Sequence, residues 1–363
     1  MHHRADIEAT EPLLREEANT VVNGHTKYGS QIPDRSASWD FPIASWAQAT
    51  TYGEGKQLLP QAIAHRGFKA EHPENTMSSF IGAVEVGAHA IETDIHLTKD
   101  DVVVLSHDPD LKRCFGAKEK IIDCDWEYLS SKRTLREPHV PMPRLQDLLE
   151  YVAQPSLEHI WIFLDIKLDN NSDNVMRLIA NTMASVHPGD RPWNDRVILG
   201  IWAAKYLPLC TKYLPGYPVS HIGFSTVYAR QFLKAPNVSF SILQKSLLGF
   251  SGARFMRDVR RANRPLYSWT VNDTNLMKWC VQHQLAGVIT DDPKRFRKIC
   301  EEWDDEKEPK ARQTIAQWLY TMYVWVLIFF FSRPFRRKFP ETVEQYIQKK
   351  NIRAKAAETV EEL

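Results

Sequence analysis

Eight short apolar runs, separated by longer amphipathic stretches, constrain the fold of this chain more than any other feature of its sequence. Each run is apolar at successive positions, which is typical of strands covered on both faces of a parallel sheet. Helical patterns fill most of the intervals, as at Thr76–Gly87, Arg144–Val152 and Asn174–Val186. This alternation predicts an α/β fold, a TIM (β/α)8 barrel. The eight runs are Ala62–His65, Ala90–Ile95, Ile160–Ile166, Val197–Trp202, Val219–Phe224, Val238–Leu243, Leu266–Val271 and Ala286–Thr290.

A ninth apolar run, Val102–His107, follows the second predicted strand after a very short interval. An interval that short cannot hold the crossover helix that parallel neighbours require. The run therefore predicts a small hairpin insertion after strand 2.

The sequence outside the barrel differs from it in composition. Residues 1–57 are polar and lack sustained periodicity, so they predict a disordered or loosely packed N-terminal segment. Within them Trp39, Phe41 and Trp46 are candidates to pack on the barrel. The rest of the chain is expected to form a barrel at 58–300, a charged linker at 301–314, a hydrophobic membrane segment at 315–331 and a charged tail at 332–363.

The segment Ile315–Phe331 is uncharged throughout. As a helix it would reach ~25 Å, somewhat less than the ~30 Å core of a bilayer. A core helix is the competing interpretation, but aromatic residues such as Trp318 and Trp325 and the arginines that follow favour membrane association. Basic residues flank both ends, so a spanning helix and a re-entrant one both remain open.

Composition excludes several functional classes. The formal net charge is +1, so nothing indicates nucleic acid as a partner. The five cysteines lack the close spacing of a zinc cage or a disulfide framework. The first residues lack the apolar region of a signal peptide. The barrel is therefore expected in the cytosol, on a membrane such as the endoplasmic reticulum, the mitochondrial surface or the lipid droplet, with no obligate protein partner evident.

Three carboxylates fall at the carboxyl ends of neighbouring predicted strands. Glu92 and Asp94 lie two residues apart at the end of the second strand, so both point into the barrel mouth. Asp165 ends the third strand. A buried charge has to be paired or bound to metal, so the three carboxylates predict a site for a hard divalent cation.

Two histidines and two cations accompany this cluster. His65 and His107 can exchange protons, while Arg66 and Lys167 can neutralise phosphate oxygens. Each residue alone has an ordinary structural interpretation. Their coincidence at one barrel mouth instead predicts metal-assisted cleavage of a phosphodiester.

The order and spacing of these motifs resemble the glycerophosphodiester phosphodiesterase family over residues 61–300. Within that family the sequence is most similar to the fungal phosphatidylglycerol phospholipase C type, which shares the LDIK and WTVN motifs and a hydrophobic C-terminal segment. The matching motifs are His65-Arg66-Gly67, Pro73-Glu74-Asn75-Thr76, Glu92-Thr93-Asp94, Thr98-Lys99-Asp100, His107-Asp108, Asp165-Ile166-Lys167, Ser268-Trp269-Thr270-Val271-Asn272 and Ile289-Thr290-Asp291-Asp292-Pro293.

The resemblance implies a catalytic pair and a metal site. His65 and His107 would act as general acid and base, with the role of each left open. Glu92, Asp94 and Asp165 would bind Mg²⁺ or Ca²⁺. Most of the family has glutamate where this sequence has Asp165, and the shorter side chain leaves the choice of metal open.

The resemblance also implies four substrate-binding residues. Arg66 and Lys167 would hold the phosphate, Trp269 would wall the glycerol pocket, and Asn75 would support the site beside them.

The implied reaction is a phospholipase C-type cleavage of phosphatidylglycerol to diacylglycerol and glycerol phosphate. A hydroxyl of the headgroup glycerol would attack phosphorus and form a cyclic phosphate, which water then opens. Three alternatives remain open: hydrolysis of soluble deacylated phospholipids, phospholipase D-type cleavage of a lipid, and a non-enzymatic lipid-binding or scaffold role. The last is the weakest, because no catalytic position is visibly lost.

Overall fold

The parallel strands close into a ring. The computed structural model describes residues 41–53 and 57–361, with side chains up to residue 352. Neighbouring strands follow the order β1-β9-β8-β7-β6-β5-β4-β2, and pairing of β1 with β2 completes the barrel. The predicted TIM barrel is confirmed. The strands are β1 Gln61–His65, β2 Ala90–Leu97, β3 Val103–Leu105, β4 Trp161–Ile166, β5 Val197–Ile201, β6 Val219–Gly223, β7 Ser239–Leu243, β8 Leu266–Trp269 and β9 Gly287–Thr290.

Helices cover the outside of this ring. Several begin where a side-chain oxygen accepts a backbone N–H of the first turn, as Thr76 does before α1 and Asp273 before α10. The helices are α1 Met77–Glu85, α2 Lys112–Phe115, α3 Trp126–Ser130, α4 Leu145–Val152, α5 Ser172–Ser185, α6 Leu207–Tyr213, α7 Thr226–Ala229, α8 Gln244–Leu247, α9 Gly249–Arg261, α10 Thr274–Gln282, α11 Pro293–Glu301, α12 Ile315–Lys338 and α13 Val343–Glu361. Short 3-10 segments lie at Ser45–Ala47, Ile121–Asp123, Pro155–Leu157, Trp193–Asp195, Ala204–Tyr206 and Arg230–Lys234.

The short strand β3 pairs antiparallel with β2, with Ile95 opposite Leu105. This pairing confirms the predicted hairpin. The insertion is larger than a hairpin, because α2 and α3 follow β3 and pack around a small cluster of their own. That cluster contains Val104, Leu111, Ile121, Cys124, Leu129 and Met142.

Apolar side chains fill the inside of the barrel. Burying a side chain of this size stabilises the fold by ~1.5–3 kcal/mol. The barrel is therefore a packed core, and the carboxyl ends of its strands form the mouth. The interior cluster includes Ile63, Trp161, Phe163, Ile198, Ile222, Tyr267 and Ile289.

Residues 41–52 pack at the opposite end of the barrel from the mouth. Phe41 is buried, and Trp46 packs edge-on against Trp161 at 5.4 Å between ring centres. The packed chain therefore begins before the predicted barrel boundary at residue 58. Trp39 and the rest of 1–40 lie outside the described residues.

The predicted charged linker is attached to the barrel surface. Lys278 Nζ lies 2.7 Å from Glu308 Oε2, and Gln282 Nε2 donates to the carbonyl of Pro309 at 2.9 Å. Both donors belong to α10, so the linker is bound to this helix shortly before α12 begins.

One face of α12 lies against the barrel along most of the helix. Thr321 and Ser332 are buried. Trp325 Nε1 donates to the carbonyl of Lys245 at 2.8 Å, and Phe335 packs edge-on against Phe224 at 5.4 Å. These contacts fall at intervals of four, seven and three residues, which places them on one helix face.

The opposite face of α12 is apolar and exposed. With its continuation to Ile352, the helix is long and apolar enough by length and composition to cross a membrane, yet only 6% of its most apolar window is buried. The predicted charged tail, 332–363, begins within α12 and continues into α13, whose first residue, Val343, joins the main core. The exposed face of α12 includes Leu319, Met322, Tyr323, Val326 and Phe330.

Candidate active site

Three buried carboxylates meet at the carboxyl ends of β2 and β4. Asp94 is paired in register with Asp165, and Glu92 lies two residues before Asp94 on the same face of β2. Ligand oxygens from all three lie within 4.8 Å of one another. The structure thus brings the predicted metal ligands together. Three carboxylate oxygens form a donor set that suits a hard divalent cation.

Asp94 is the most enclosed of the three, with 1% of its surface exposed. Its Oδ2 accepts a 2.8 Å hydrogen bond from Asn75 Nδ2, and its Oδ1 lies 2.6 Å from Lys167 Nζ. Arg66 Nε lies 3.2 Å from Oδ2. Burial alone would raise the pKa of Asp94, but Lys167 and Arg66 outweigh burial and hold this pKa well below its usual range. Asp94 is therefore a charged carboxylate at neutral pH.

Glu92 has the opposite electrostatic balance. Its Oε2 accepts the backbone N–H of Arg66 at 3.0 Å. Burial, followed by the charges of Asp94 and Asp165, raises the pKa of Glu92 well above its usual value. A cation bound among the three carboxylates would offset this repulsion. The residues present therefore fit a divalent metal.

Lys167 and Trp202 both bind Asp165. Lys167 Nζ donates to Asp165 Oδ2 and Trp202 Nε1 donates to Oδ1, each at 2.6 Å. Burial would lower the pKa of Lys167, but Asp165 and Asp94 raise it above its usual value. The lysine predicted to bind phosphate is thus a cation within the carboxylate cluster.

His65 is oriented by a carboxylate from the end of β9. Its Nδ1 lies 2.6 Å from Asp291 Oδ1, and Asn272 donates to the other oxygen of Asp291 at 2.8 Å. Burial lowers the pKa of His65, and the hydrogen bond to Asp291 opposes that shift. With Nδ1 held, Nε2 is the ring nitrogen that can exchange a proton with a substrate.

His107 is held by a chain of charged side chains. Its Nδ1 lies 2.8 Å from Asp108 Oδ1, and Arg113 Nε donates to Asp108 Oδ2 at 2.6 Å. Arg113 also donates to both oxygens of Glu74 at 2.8 and 2.7 Å, and Arg66 donates to Glu74 at 2.7 Å. Burial would raise the pKa of Glu74, but Arg113 and Arg66 lower it to about 2. One network therefore positions both His107 and Arg66.

The turn after β1 has a left-handed backbone, with φ of +57° at Arg66 and +82° at Gly67. A Cβ on Gly67 would lie 2.3 Å from Ser79 Oγ, so this position requires glycine. Asn75 has a φ of +52°. Such conformations cost ~1–3 kcal/mol in non-glycine residues and cluster at functional sites. Here they direct Arg66 and Asn75 toward Asp94.

Two predicted substrate residues have different surroundings. Trp269 is half-buried at the end of β8 and packs edge-on against Trp202 at 5.7 Å. Asn75 is 3% exposed, and its amide is occupied because it donates to Asp94 and accepts from Thr93. Asn75 thus positions the carboxylate of Asp94, and its predicted role in substrate binding stays a prediction.

Sequence reasoning missed five residues that hold the site together. Three of them lie within the quoted motifs, so their position beside a predicted catalytic residue was an available signal. Trp202 ends an apolar run, and Arg113 has no motif of its own. The five are Glu74, Asp108, Arg113, Trp202 and Asp291.

Comparison with known proteins agrees with this geometry. The sequence profile described as the Glycerophosphoryl diester phosphodiesterase family matches residues 65–295. The chain belongs to the glycerophosphoryl diester phosphodiesterase family. It is therefore a phosphoric diester hydrolase.

Individual relatives align with about two thirds of this chain. Lysophospholipase D GDPD1 of Homo sapiens is 46% identical over 278 residues, which cover 67% of this chain and 86% of that protein. A glycerophosphodiester phosphodiesterase of Bacillus altitudinis is 28% identical, covering 67% of this chain and 99% of its own. An Oleispira antarctica phosphodiesterase, solved with its product sn-glycerol-3-phosphate, shares the fold with a TM-score of 0.57 at 20% identity, over 66% of this chain and 96% of that one.

Proposed function

We propose that this glycerophosphoryl diester phosphodiesterase hydrolyses lysophospholipids, releasing the headgroup alcohol and leaving lysophosphatidic acid. The main observation in support is that two tryptophans lie beside the charged cluster. Trp202 donates a hydrogen bond to Asp165 and packs against Trp269. A lysophospholipid offers a phosphodiester that suits the charged side of the mouth and an acyl chain that suits the apolar side. The 46% identity to a lysophospholipase D supports the same substrate class.

The free hydroxyl on the second glycerol carbon of the substrate supplies the nucleophile. One of the two histidines, His65 or His107, takes the proton of this hydroxyl, and the oxygen attacks phosphorus. The bond from phosphorus to the headgroup oxygen breaks, and the other histidine protonates that oxygen. The cyclic phosphate is then opened by water to lysophosphatidic acid. Asp291 and Asp108 stabilise the imidazolium that forms on each ring.

Glu92, Asp94 and Asp165 would hold the divalent cation, Mg²⁺ or Ca²⁺. When bound, such a cation supplies positive charge to a phosphate oxygen and lowers the pKa of the attacking hydroxyl. Arg66 adds a guanidinium beside the same cluster, held in place by Glu74 and Asp94.

Phosphatidylglycerol is a second candidate substrate. Its headgroup glycerol has a hydroxyl two carbons from the phosphoester oxygen, so the same residues could direct attack from the other side of phosphorus. Diacylglycerol would then leave, and glycerol phosphate would be the end product. The motifs around Asp165 and Trp269, which resemble the fungal phospholipase C branch, support this candidate.

Product analysis distinguishes the two candidates. We expect the purified full-length enzyme to convert lysophosphatidylcholine to lysophosphatidic acid and choline, measured by mass spectrometry. The matched control is the analogue with a methoxy group on the second glycerol carbon, which should not react because it lacks the nucleophile. Cleavage of this analogue would contradict hydroxyl attack. Diacylglycerol released from phosphatidylglycerol as the dominant product would favour the second candidate.

We also propose that α12 binds the barrel to a membrane, with the catalytic domain in the cytosol. Its docked face lies on the barrel while its outer face is apolar, which suits a helix lying in the membrane interface.

The double variant Leu319→Asp, Tyr323→Asp should bind membranes more weakly. The fraction of protein that floats with phospholipid vesicles should fall by at least about tenfold. The matched control places aspartate at Ile43 and Leu58, exposed apolar residues at the far end of the barrel. Equal flotation of both variants would contradict the proposal.

A further inference from the structure

A groove of about 890 Å³ lies between α12 and the barrel mouth. One wall is formed by residues that come directly after β6 and β7 in the chain. Because the strands are parallel, these residues lie at the same end of the barrel as the carboxylates at the ends of β2 and β4. Its other wall is the C-terminal half of α12. The volume falls within the ~300–1,000 Å³ typical of ligand pockets. The barrel wall includes Phe224, Val227 and Leu248, and the helix wall includes Trp325, Ile328 and Phe329.

Large apolar side chains that line the groove are exposed to solvent. Val227, Phe329 and Phe250 line it and are 59%, 57% and 81% exposed. A contiguous, concave apolar surface of this kind marks a binding site for an apolar ligand.

A row of aromatic residues joins this groove to the carboxylate cluster. Trp202 donates to Asp165 at 2.6 Å. Trp202 and Phe224 line one narrow gap together with Phe335 of α12. Phe224 also lines the groove itself. The aromatic side chains of Trp202 and Phe224 therefore lie between Asp165 and the groove.

Cations complete the groove. Arg333, Arg336 and Arg337, from the last turns of α12, line the same cavity. Guanidinium groups suit the anionic phosphates of a lipid surface. This combination of charge and apolar surface fits one acyl chain drawn from a membrane.

We infer that this groove binds the single acyl chain of a lysophospholipid whose phosphodiester lies at the carboxylate cluster. The inference rests on the proposed function and specifies how substrate is selected. Helix α12 then has a different role on each face. Its inner face contacts the acyl chain, and its outer face contacts the bilayer.

The experiment measures kcat/KM for glycerophosphocholine and for lysophosphatidylcholines of increasing chain length, all at concentrations where they remain monomeric. Monomeric substrates remove any effect of vesicle binding. With the wild-type enzyme kcat/KM should rise with chain length, by up to about fourfold for each methylene buried in the groove.

Two variants place a charge in the groove from opposite walls: Phe329→Asp on α12 and Val227→Asp on the barrel. Both residues are more than half exposed, so the fold tolerates the change. We expect kcat/KM to depend less on chain length in each variant than in the wild type. The ratio of kcat/KM for dodecanoyl-lysophosphatidylcholine to kcat/KM for glycerophosphocholine should fall by at least about tenfold. Phe330→Asp is the matched control, because Phe330 lies on the outer face and should keep the wild-type dependence.

The outcomes separate the two proposals. Lysophospholipid cleavage with the same chain-length dependence in wild type and both groove variants overturns the acyl groove and leaves the proposed function intact. If Phe330→Asp also loses the dependence of kcat/KM on chain length, the acyl groove is overturned too, since the effect is then not local to the groove. An enzyme that cleaves glycerophosphocholine but no lysophospholipid overturns both.

Discussion

Replacing Asp94 by asparagine is expected to lower kcat/KM by about 10³ and to abolish tight binding of a divalent cation. The change keeps the size of the side chain but removes a buried negative charge that faces Lys167 and Arg66. It therefore weakens the cation site and leaves Lys167 with one charged partner fewer. Hydrolysis of glycerophosphocholine and calorimetric titration with Mg²⁺ and Ca²⁺ measure the two effects separately.

Chelation of the wild-type enzyme with EDTA should give the same loss, and one of the two ions should restore it. Asp173→Asn is the matched control, because it makes the same chemical change in an exposed ion pair with Lys212 and should leave turnover intact. Thermal unfolding of both variants checks that they are folded. Full turnover by metal-free enzyme would contradict the carboxylate site.

Replacing His65 or His107 by alanine is expected to lower kcat by about 10²–10⁴, the usual effect of removing a positioned proton donor or acceptor. Each ring is held at Nδ1 by a carboxylate, Asp291 or Asp108. Steady-state kinetics on glycerophosphocholine measures the loss. Because the two rings act on different protons, the double variant should be no faster than the slower single variant.

His283→Ala and His221→Ala are controls of different kinds. His283 follows α10 and stacks on Trp279 at 3.9 Å between ring centres, and its Nδ1 lies 2.8 Å from the Trp279 carbonyl oxygen, so its loss should not change kcat. His221 is fully buried and stacks on Phe232 at 3.9 Å, so its loss should lower the unfolding temperature more than it lowers kcat. Similar losses of kcat at all four histidines would show that the effects come from folding and would contradict the assignment.

The barrel was predictable because its signal is local and repeated. Eight apolar runs appear as strands within a few residues of their predicted bounds, and the short interval after Ile95 appears as the predicted hairpin. The meeting of Glu92, Asp94 and Asp165 was predictable for a related reason. Parallel strands end at one face, and alternate residues share a side.

The partners of the catalytic residues were not predictable in the same way. His65 and Asp291 are 226 positions apart, and Arg113 reaches Glu74 across 39 positions from an insertion with no repeating pattern. Contacts of this kind depend on how loops close over the barrel mouth. They carry no periodicity that a single sequence displays.

The C-terminal helix marks the boundary between what the sequence and the tertiary structure determined. Composition alone predicted that Ile315–Phe331 is apolar and helical, because hydropathy is a property of the residues themselves. Only the tertiary structure decided that Trp325 and Phe335 pack against the barrel while Phe330 faces outward. A helix that is apolar on every side gives no sequence signal of which face will be covered. The shape of the surface that it meets decides, and here that surface also leaves a groove beside the catalytic mouth.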